Sequence, residues 1–587
     1  MPEAFLHVTD SFLHRRWEAR SYDERHAETL AQRFSLPDLI ARSLAARGVE
    51  VDDVGVFLDP KLRALLPDPS SLKDMDKGVA RFIEAINWGE SIAVFGDFDV
   101  DGATSAALLI RFARTLGVEL RLYIPDRVSE GYGPNSVAMK KLAEEGVKLV
   151  ICVDCGITAH EPLKEAKEHG LDVIVIDHHT AEAQLPPCVA AINPNRLDDP
   201  MAASLGHLAA VGVTYLFVVA TNRAMRQKGF YEKRYTEPNL LEWLDLVALG
   251  TVCDVVSLTG LNRAFVAQGL KIMEARQNQG IAALAEVAGA RREMDTYTAG
   301  FILGPRINAG GRVGRSDMGA RLLSLEDEQE VIGYAQRLND LNHERRALEK
   351  EVLAEAELTI FKDEDPLCFV ASENWHPGVI GIVASRLKDK YQRPSLVVSL
   401  TNGQGKGSGR SIGNVDLGAA VIAARQAGLL INGGGHKMAA GLTVARDKID
   451  ELHDFLTARI GKQLAAEPFE PRLTIDGMIS TTAANIDFLD QLEKLAPFGT
   501  GNSEPRFALA DCRIAHAQVV GESHVKVIAQ QGTTRLEGIA FRAMETSLGP
   551  ALLARAGGQA HLAGKLRRNV WQGRENVQMI IDDAAAE

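Results

Sequence analysis

The chain has 587 residues, 46% of them apolar and 24% charged, with a net charge of −13. That length exceeds what one hydrophobic core supports, so three or four domains are expected, and the composition excludes a disordered chain. Phe5, Leu6, Phe12 and Leu13 are interrupted by polar residues instead of forming a signal peptide, and no apolar run has the length of a membrane span.

In chain order, the first 70 residues read as a helical segment. From about Glu90, strands and helices alternate: strand Ser91–Gly96, helix Ala103–Leu116, strand Glu119–Ile124, helix Ser136–Glu145, strand Lys148–Val153, helix Ala159–His169 and strand Asp172–Ile176. Such alternation implies an α/β domain with a parallel sheet wrapped on both faces. Leu241–Thr251 is a further apolar segment, followed directly by polar residues, and Glu326–Thr359 reads as a long exposed connecting helix. A second, smaller α/β pattern follows in strand Cys368–Ala371, helix Val379–Lys390 and strand Ser395–Ser399, with glycine-rich loops at Asn402–Gly409 and Gly433–Gly435. From about Pro471 the segments Ala515–Val520, His524–Ala529 and Glu537–Phe541 suggest a small β-barrel. The expected domains are therefore 1–70, 71–325, a connecting helix over 326–365, 366–467 and 468–587.

The acidic total does not exclude a nucleic-acid partner, because phosphate affinity follows local patches; Thr401–Ala440 carries Lys406, Arg410, Arg425 and Lys437 against Asp416 alone. Cys152 and Cys155 have CxxC spacing, but no second pair completes a four-ligand zinc site, so the six cysteines are expected as free thiols in a reducing cytoplasm.

Asp97, Asp99 and Asp101 alternate directly after a predicted strand and before a helix. One Asp suffices to cap a helix. Three crowded carboxylates cost free energy unless cations compensate them, which points to a metal site. An EF-hand is disfavoured because its twelfth loop position would be Leu108. Asp154, then Asp177-His178-His179, then Asp254 each follow an apolar run taken as a strand. In open α/β sheets ligands bind beyond the carboxyl ends of the strands, so the four clusters are expected to converge.

DxDxDG, VDCG, DHH and the Asp of GTVCDVV resemble the motifs of the DHH phosphoesterase superfamily. Gly304-Pro-Arg306-Ile-Asn308-Ala-Gly-Gly-Arg312, His376-Pro-Gly, Gly407-Ser408-Gly-Arg410-Ser411 and Gly433-Gly-Gly-His436 are similar to its nuclease branch. The resemblance implies a DHH domain and a DHHA1 domain joined by the long helix, followed by an OB-type barrel. It also implies a two-metal exonuclease that degrades single-stranded DNA from the 5′ end to mononucleotides in repair and recombination. Asp99, Asp101, His178 and Asp254 would be ligands with Asp154 bridging, Asp97 a ligand or just outside, and two Mn²⁺ ions, with Mg²⁺ as substitute. His179 and His436 would face the phosphate, with Asp177 orienting a histidine. Arg127, Arg306, Ser408 and Arg410 would clamp the terminal phosphate, and Asn308, Arg312 and His376 would also bind substrate. Phe498, Phe507, Phe541, Lys565, Arg567, Arg568 and Trp571 are candidate barrel contacts to the strand. The implied partners are single-stranded DNA, a single-strand-binding protein and a repair helicase, with the enzyme a monomer. The alternatives are a DHH enzyme for short oligonucleotides, disfavoured by the barrel, and a non-catalytic DNA-binding scaffold, disfavoured by the complete ligand set.

Overall fold

The computed structural model describes residues 3–586 except 128, 234, 291–292, 360–364 and 572. It forms two compact units: Leu65–Phe469, and Met1–Ala64 together with Glu470–Glu587.

The first unit is organised around β1 (Ile92–Gly96), β2 (Arg121–Tyr123), β3 (Leu149–Val153), β4 (Asp172–Ile176) and β5 (Ala190–Ile192), all parallel in the order β2-β1-β3-β4-β5. Every residue of β1 and β3 is buried, which explains why both read as unbroken apolar runs without alternation. Each fully buried Val or Ile there contributes about 1.5–3 kcal/mol. The strand order reverses between β1 and β3, so the crevice beyond their carboxyl ends opens where Asp97–Asp101 and Asp154 follow them.

Around this sheet lie α1 (Val100–Thr115), α2 (Ala210–Gln227), α3 (Leu244–Cys253) and α4 (Gly304–Val313). The Leu241–Thr251 segment, expected as a strand, is thus a helix. It is buried on all sides from Leu244 to Thr251, so apart from Asp245 and Thr251 its residues there are apolar and show no helical period. The long α5 (Glu328–Thr359) buries Val331, Ala335, Leu338, Leu341 and Val352, and is not the wholly exposed connector expected.

Beyond α5, a second sheet has strands β6 (Cys368–Ser372), β7 (Ser395–Thr401), β8 (Gln404–Arg410), β9 (Asn432–His436) and β10 (Ala439–Ala445), in the order β9-β10-β8-β7-β6. Both glycine-rich segments expected as loops are therefore strands. In β8 the glycines alternate, and a Cβ on Gly405, Gly407 or Gly409 would come within 2.6–2.7 Å of Val398, Leu442 or Leu417. They are glycine because core side chains fill the space, and the period of two presents Lys406, Ser408 and Arg410 on the opposite face.

The second unit holds a closed five-stranded barrel: Phe507–Val520, His524–Gln531, Thr534–Ala540, Arg574–Ala585 and Gln559–Trp571, the last pairing back to the first. Residues 1–70, read as a separate segment, divide. Leu30, Ile40 and Leu44 share one core with Phe507, Leu509 and Ile514 of the barrel, and Arg16–Ala19 pairs in parallel with Arg472–Ile475.

Candidate active site

The first acidic loop is held by close packing. A Cβ on Gly102 would lie 2.5 Å from the Asp97 carbonyl, and one on Gly311 of α4 would lie 2.9 Å from the Phe98 carbonyl. Asp99 caps α1, its Oδ1 accepting the Gly102 N–H at 3.1 Å, so the capping role weighed for this loop is real for one of its three carboxylates. Asp101 is fully buried and accepts from the first two N–H groups of α2, Ala210 at 2.7 Å and Val211 at 2.9 Å. Asp154 follows β3 with φ +60°, a left-handed conformation that is strained for a non-glycine residue and typical of functional sites.

The fourth strand delivers the histidines. Asp177 is buried and accepts from the N–H groups of His178 (2.8 Å), His179 (3.1 Å) and Ile157 (3.0 Å), and from His179 Nδ1 (2.7 Å). It therefore orients the pair instead of facing into the cluster. His178 Nδ1 lies 3.0 Å from the Leu208 carbonyl, which makes that nitrogen the donor and leaves Nε2 as a bare acceptor. That Nε2 lies 3.3 Å from Asp154 Oδ1, 3.6 Å from Asp254 Oδ2 and 4.0 Å from Asp101 Oδ2. Asp254 arrives as the C-cap of α3, at a helix end and not at a strand end.

The structure thus brings all four motifs together. Three groups have ligand atoms within 4.8 Å of one another: Asp97, Asp99 and Asp154; Asp154, His178 and His179; and Asp101, His178 and Asp254. Asp154 and His178 each belong to two of them. Burial, then mutual repulsion, pushes Asp97, Asp101 and Asp154 well above the usual carboxylate range, and burial with the Asp99 charge lifts Asp254 to about 7. Burial also pushes Asp177 up, but its hydrogen bonds outweigh that and hold it below the ordinary value. His178 is lowered by burial and by its neighbour His179, whereas in His179 the hydrogen bond and charge of Asp177 outweigh burial and raise it.

Beside the cluster lies a cavity of about 560 Å³ whose walls include Arg127, Arg312, Lys406, Ser408 and Arg410. The helix Ile380–Tyr391 opens onto it at Gly378–Ile382, and a helix N-terminus favours anions. Arg410 Nη1 donates to Ser408 Oγ at 3.1 Å, Arg312 Nη1 donates to the Gly378 carbonyl at 3.0 Å, and the Arg127 guanidinium rests on the Phe98 ring, 4.8 Å from its centroid. Burial lowers all three arginines, Arg312 to about 10, with the Arg127 charge adding to the effect in Arg312 and Arg410. A pocket that depresses three guanidinium groups is one that an anion would relieve.

Arg306 is not part of this wall. It is buried, donating from Nε to Asn339 Oδ1 of α5 and from Nη1 to the Ile302 carbonyl. Arg312 stands six positions further along α4, which turns the two about 120° apart around the helix. Asn308 is half-buried on the same helix. His376 accepts the Gly378 N–H on Nδ1 at 3.0 Å at the cavity's edge, and burial lowers its pKa. His436 ends β9 exposed, and does not line the cavity.

In the barrel, Phe507 is fully buried and Phe498 packs against the core. Lys565 and Arg567 pair with Glu504, while Arg568 pairs with Asp490, Glu493 and Glu575. Phe541 is 56% exposed, and the Trp571 side chain lies outside the described residues.

Sequence reasoning missed Tyr132, Asn193 and Asn195. Tyr132 donates to the Asp154 carbonyl at 3.0 Å, with its hydroxyl 3.4 Å from His179 Nδ1. Its signal was Gly131-Tyr132-Gly133, whose glycines both take positive φ. Asn193 and Asn195 donate to the His179 and His178 carbonyls at 2.9 and 2.6 Å; their spacing carries no signal until the fold places them.

Family models match in the same order as these elements: DHH family, N-terminal domain over 91–251, DHHA1 domain over 364–462, and RecJ OB domain over 475–583. The chain is 36% identical to the single-stranded-DNA-specific exonuclease RecJ of Dickeya dadantii, covering 93% of this chain and 96% of the relative. It is 34% identical to the Escherichia coli protein of the same name, over 95% and 97%. The crystal structure of RecJ in complex with Mn²⁺ from Thermus thermophilus superposes with a TM-score of 0.80 at 29% identity, covering 97% of this chain and 79% of that one. With likeness spanning nearly the whole of both sequences and the motif residues converging in space, the chain belongs to the RecJ family of DHH phosphoesterases.

Proposed function

We propose that the protein is a divalent-metal-dependent exonuclease that hydrolyses single-stranded DNA from its 5′ end to mononucleotides. The observation that carries this is the adjacency of a buried carboxylate–histidine cluster to an arginine-walled cavity. One set of groups suits hydrolysis of a phosphodiester, and the other suits capture of a terminal phosphate.

The donor set fits metal ions. Asp97 Oδ1, His178 Nε2 and Asp254 Oδ2 are buried without any hydrogen-bond partner, which is costly unless a cation meets them. Oxygen-rich ligation with one or two imidazoles suits Mn²⁺ or Mg²⁺, the ions named in two crystal structures of the Thermus relative. Asp97, Asp99, Asp101, Asp154, His178 and Asp254 would hold two ions, with Asp154 shared. When bound there, two ions would supply activation of a water and neutralisation of charge on the phosphoryl oxygens.

The chain's own residues supply position. Arg127, Arg312, Ser408 and Arg410 bind the 5′-phosphate and thereby set the register of the scissile bond. Asp177 accepts the His179 Nδ1–H and favours the protonated ring, and in that form His179 Nε2 donates to a phosphate oxygen. Bond-by-bond removal from a phosphorylated end accounts for 5′ polarity, and the barrel favours a polymer over a dinucleotide. Among the described residues no helix is long and apolar enough to cross a membrane. We extend the reading to a cytoplasmic monomer in repair and recombination, to which a helicase or a single-strand-binding protein presents the strand.

Digestion of end-labelled single-stranded DNA with Mn²⁺ tests the reading. Mononucleotides released from the 5′ end are expected, and activity confined to di- to pentanucleotides, or surviving Asp154→Ala, would refute it.

A further inference from the structure

Two aromatic rings lie outside both the cluster and the cavity and are not used by the reading above. Tyr297 and Phe301 are 56% and 66% exposed, yet their rings stack with centroids 5.3 Å apart and planes 23° from parallel. One exposed aromatic is ordinary on a protein surface. Two that stack on each other and remain in water present a continuous aromatic face to solvent. Their backbone is also unusual. Thr298–Leu303 is a π-helical turn, with Asp295 Oδ1 accepting the Thr298 N–H at 2.7 Å at its start. Such turns are rare and concentrate at functional sites.

The surroundings of the turn tie it to the catalytic centre. Cys253 Sγ lies 3.5 Å from the Ala299 carbonyl. A Cβ on Gly304 would lie 2.5 Å from Cys253 Sγ, and one on Gly300 would lie 3.3 Å from Val252 Cγ1. The turn therefore sits on the last residues of α3, the helix that ends at Asp254. Val255, next in the chain, is itself 66% exposed with φ +61°. Beyond the turn, α4 continues directly, and its far end carries Arg312 into the phosphate cavity. From Gly304 to Arg312 the helix rises about 12 Å. If a terminal phosphate is held at the Arg312 end of α4, a strand running past the cluster would reach the aromatic pair towards the other end.

We propose that Tyr297 and Phe301 form a stacking platform for nucleobases on the 3′ side of the scissile phosphate. This rests on the reading of the site as a nuclease for single strands. Every base has a π face, so such a platform accepts any sequence, at about 1–3 kcal/mol per stacked base. Bases in a duplex already stack on each other and cannot use it, so the platform contributes to single-strand preference without hydrogen-bond readout.

The test compares Tyr297→Ala, Phe301→Ala, the double variant and Phe301→Leu, which keeps apolar bulk without a ring. Both side chains are exposed, so their removal leaves the core intact. Steady-state hydrolysis of a 5′-phosphorylated single strand should show KM rising about fivefold or more per ring removed, with kcat unchanged. In an Asp154→Asn background, 2-aminopurine placed 3′ of the first linkage should be quenched on binding, and the double variant should abolish that quenching. If the unaltered enzyme does not cut single strands, the reading of the site falls. If it does cut them and the double variant keeps its KM and its quenching, the platform is refuted and the patch serves another partner. A Phe301→Leu variant that behaves as the parent would equally exclude ring stacking.

Discussion

Arg410 offers the sharpest test of the phosphate cavity. It stands on β8 with its guanidinium directed by Ser408 Oγ and the Gly409 carbonyl, beside Arg312 and Arg127. A hydrogen bond to a charged group contributes about 1.5–3 kcal/mol, and a planar guanidinium can make two to one phosphate. Because the neighbouring arginines continue to hold the phosphate, Arg410→Ala should lose about 2 kcal/mol of this, or roughly thirtyfold in kcat/KM. The control lies in the substrate. A 5′-hydroxyl oligonucleotide has no group for Arg410 to hold, so the substitution should change its kcat/KM little. The two perturbations form a double-mutant cycle whose coupling energy isolates the contact. Arg410→Lys should recover part of the loss, since it keeps charge but not the fork. Equal losses on phosphorylated and unphosphorylated ends would show that Arg410 does not read the terminal phosphate.

Asp177→Asn, which weakens the partner of His179 without replacing a metal-ligand side chain, should reduce Mn²⁺-dependent activity about 10–100-fold with the fold retained; metal titration followed by circular dichroism checks both. Gly102→Ala would force a Cβ to 2.5 Å from the Asp97 carbonyl, so it should displace the acidic loop and abolish activity, measured as loss of Mn²⁺ binding. Asp245 is buried near Arg111, outside the cluster, and burial raises its carboxyl from 3.8 to about 7. A raised carboxyl favours the fold fully below the unfolded value and loses that contribution as pH rises to the folded one, about 4 kcal/mol by pH 8. Asp245→Asn should therefore flatten the fall in denaturation midpoint between pH 4 and 8, and an unchanged slope would show that the group is not buried neutral.

What the sequence revealed and what it hid follow from the same physics. β1, β3 and β4 were legible because buried parallel strands are short apolar runs ending in polar turns, and the motif carboxylates stand at those ends. The run ending at Asp254 reads as a strand because a helix buried all round gives the same apolar signal. β8 reads as a loop in the sequence because alternating glycines lower strand propensity, although packing against Val398, Leu442 and Leu417 demands them. Arg306 and Arg312 look equivalent in one motif, and only the helical twist sends one to Asn339 and the other to the cavity.

The pairing of Arg16–Ala19 with Arg472–Ile475 has a consequence for biosynthesis. The unit built from both stretches cannot close until the barrel strands have been translated, whereas Leu65–Phe469 holds all its own partners earlier. Leu30, Ile40 and Leu44 emerge from the ribosome well before the barrel residues whose core they join. The catalytic unit is, in topological terms, an insertion within the unit that carries the barrel. Loop-closure cost grows only with the logarithm of length, so an interruption of this size is tolerated thermodynamically. The nascent chain meanwhile exposes an apolar helical pair, which makes this early stretch the place where chaperone dependence would concentrate.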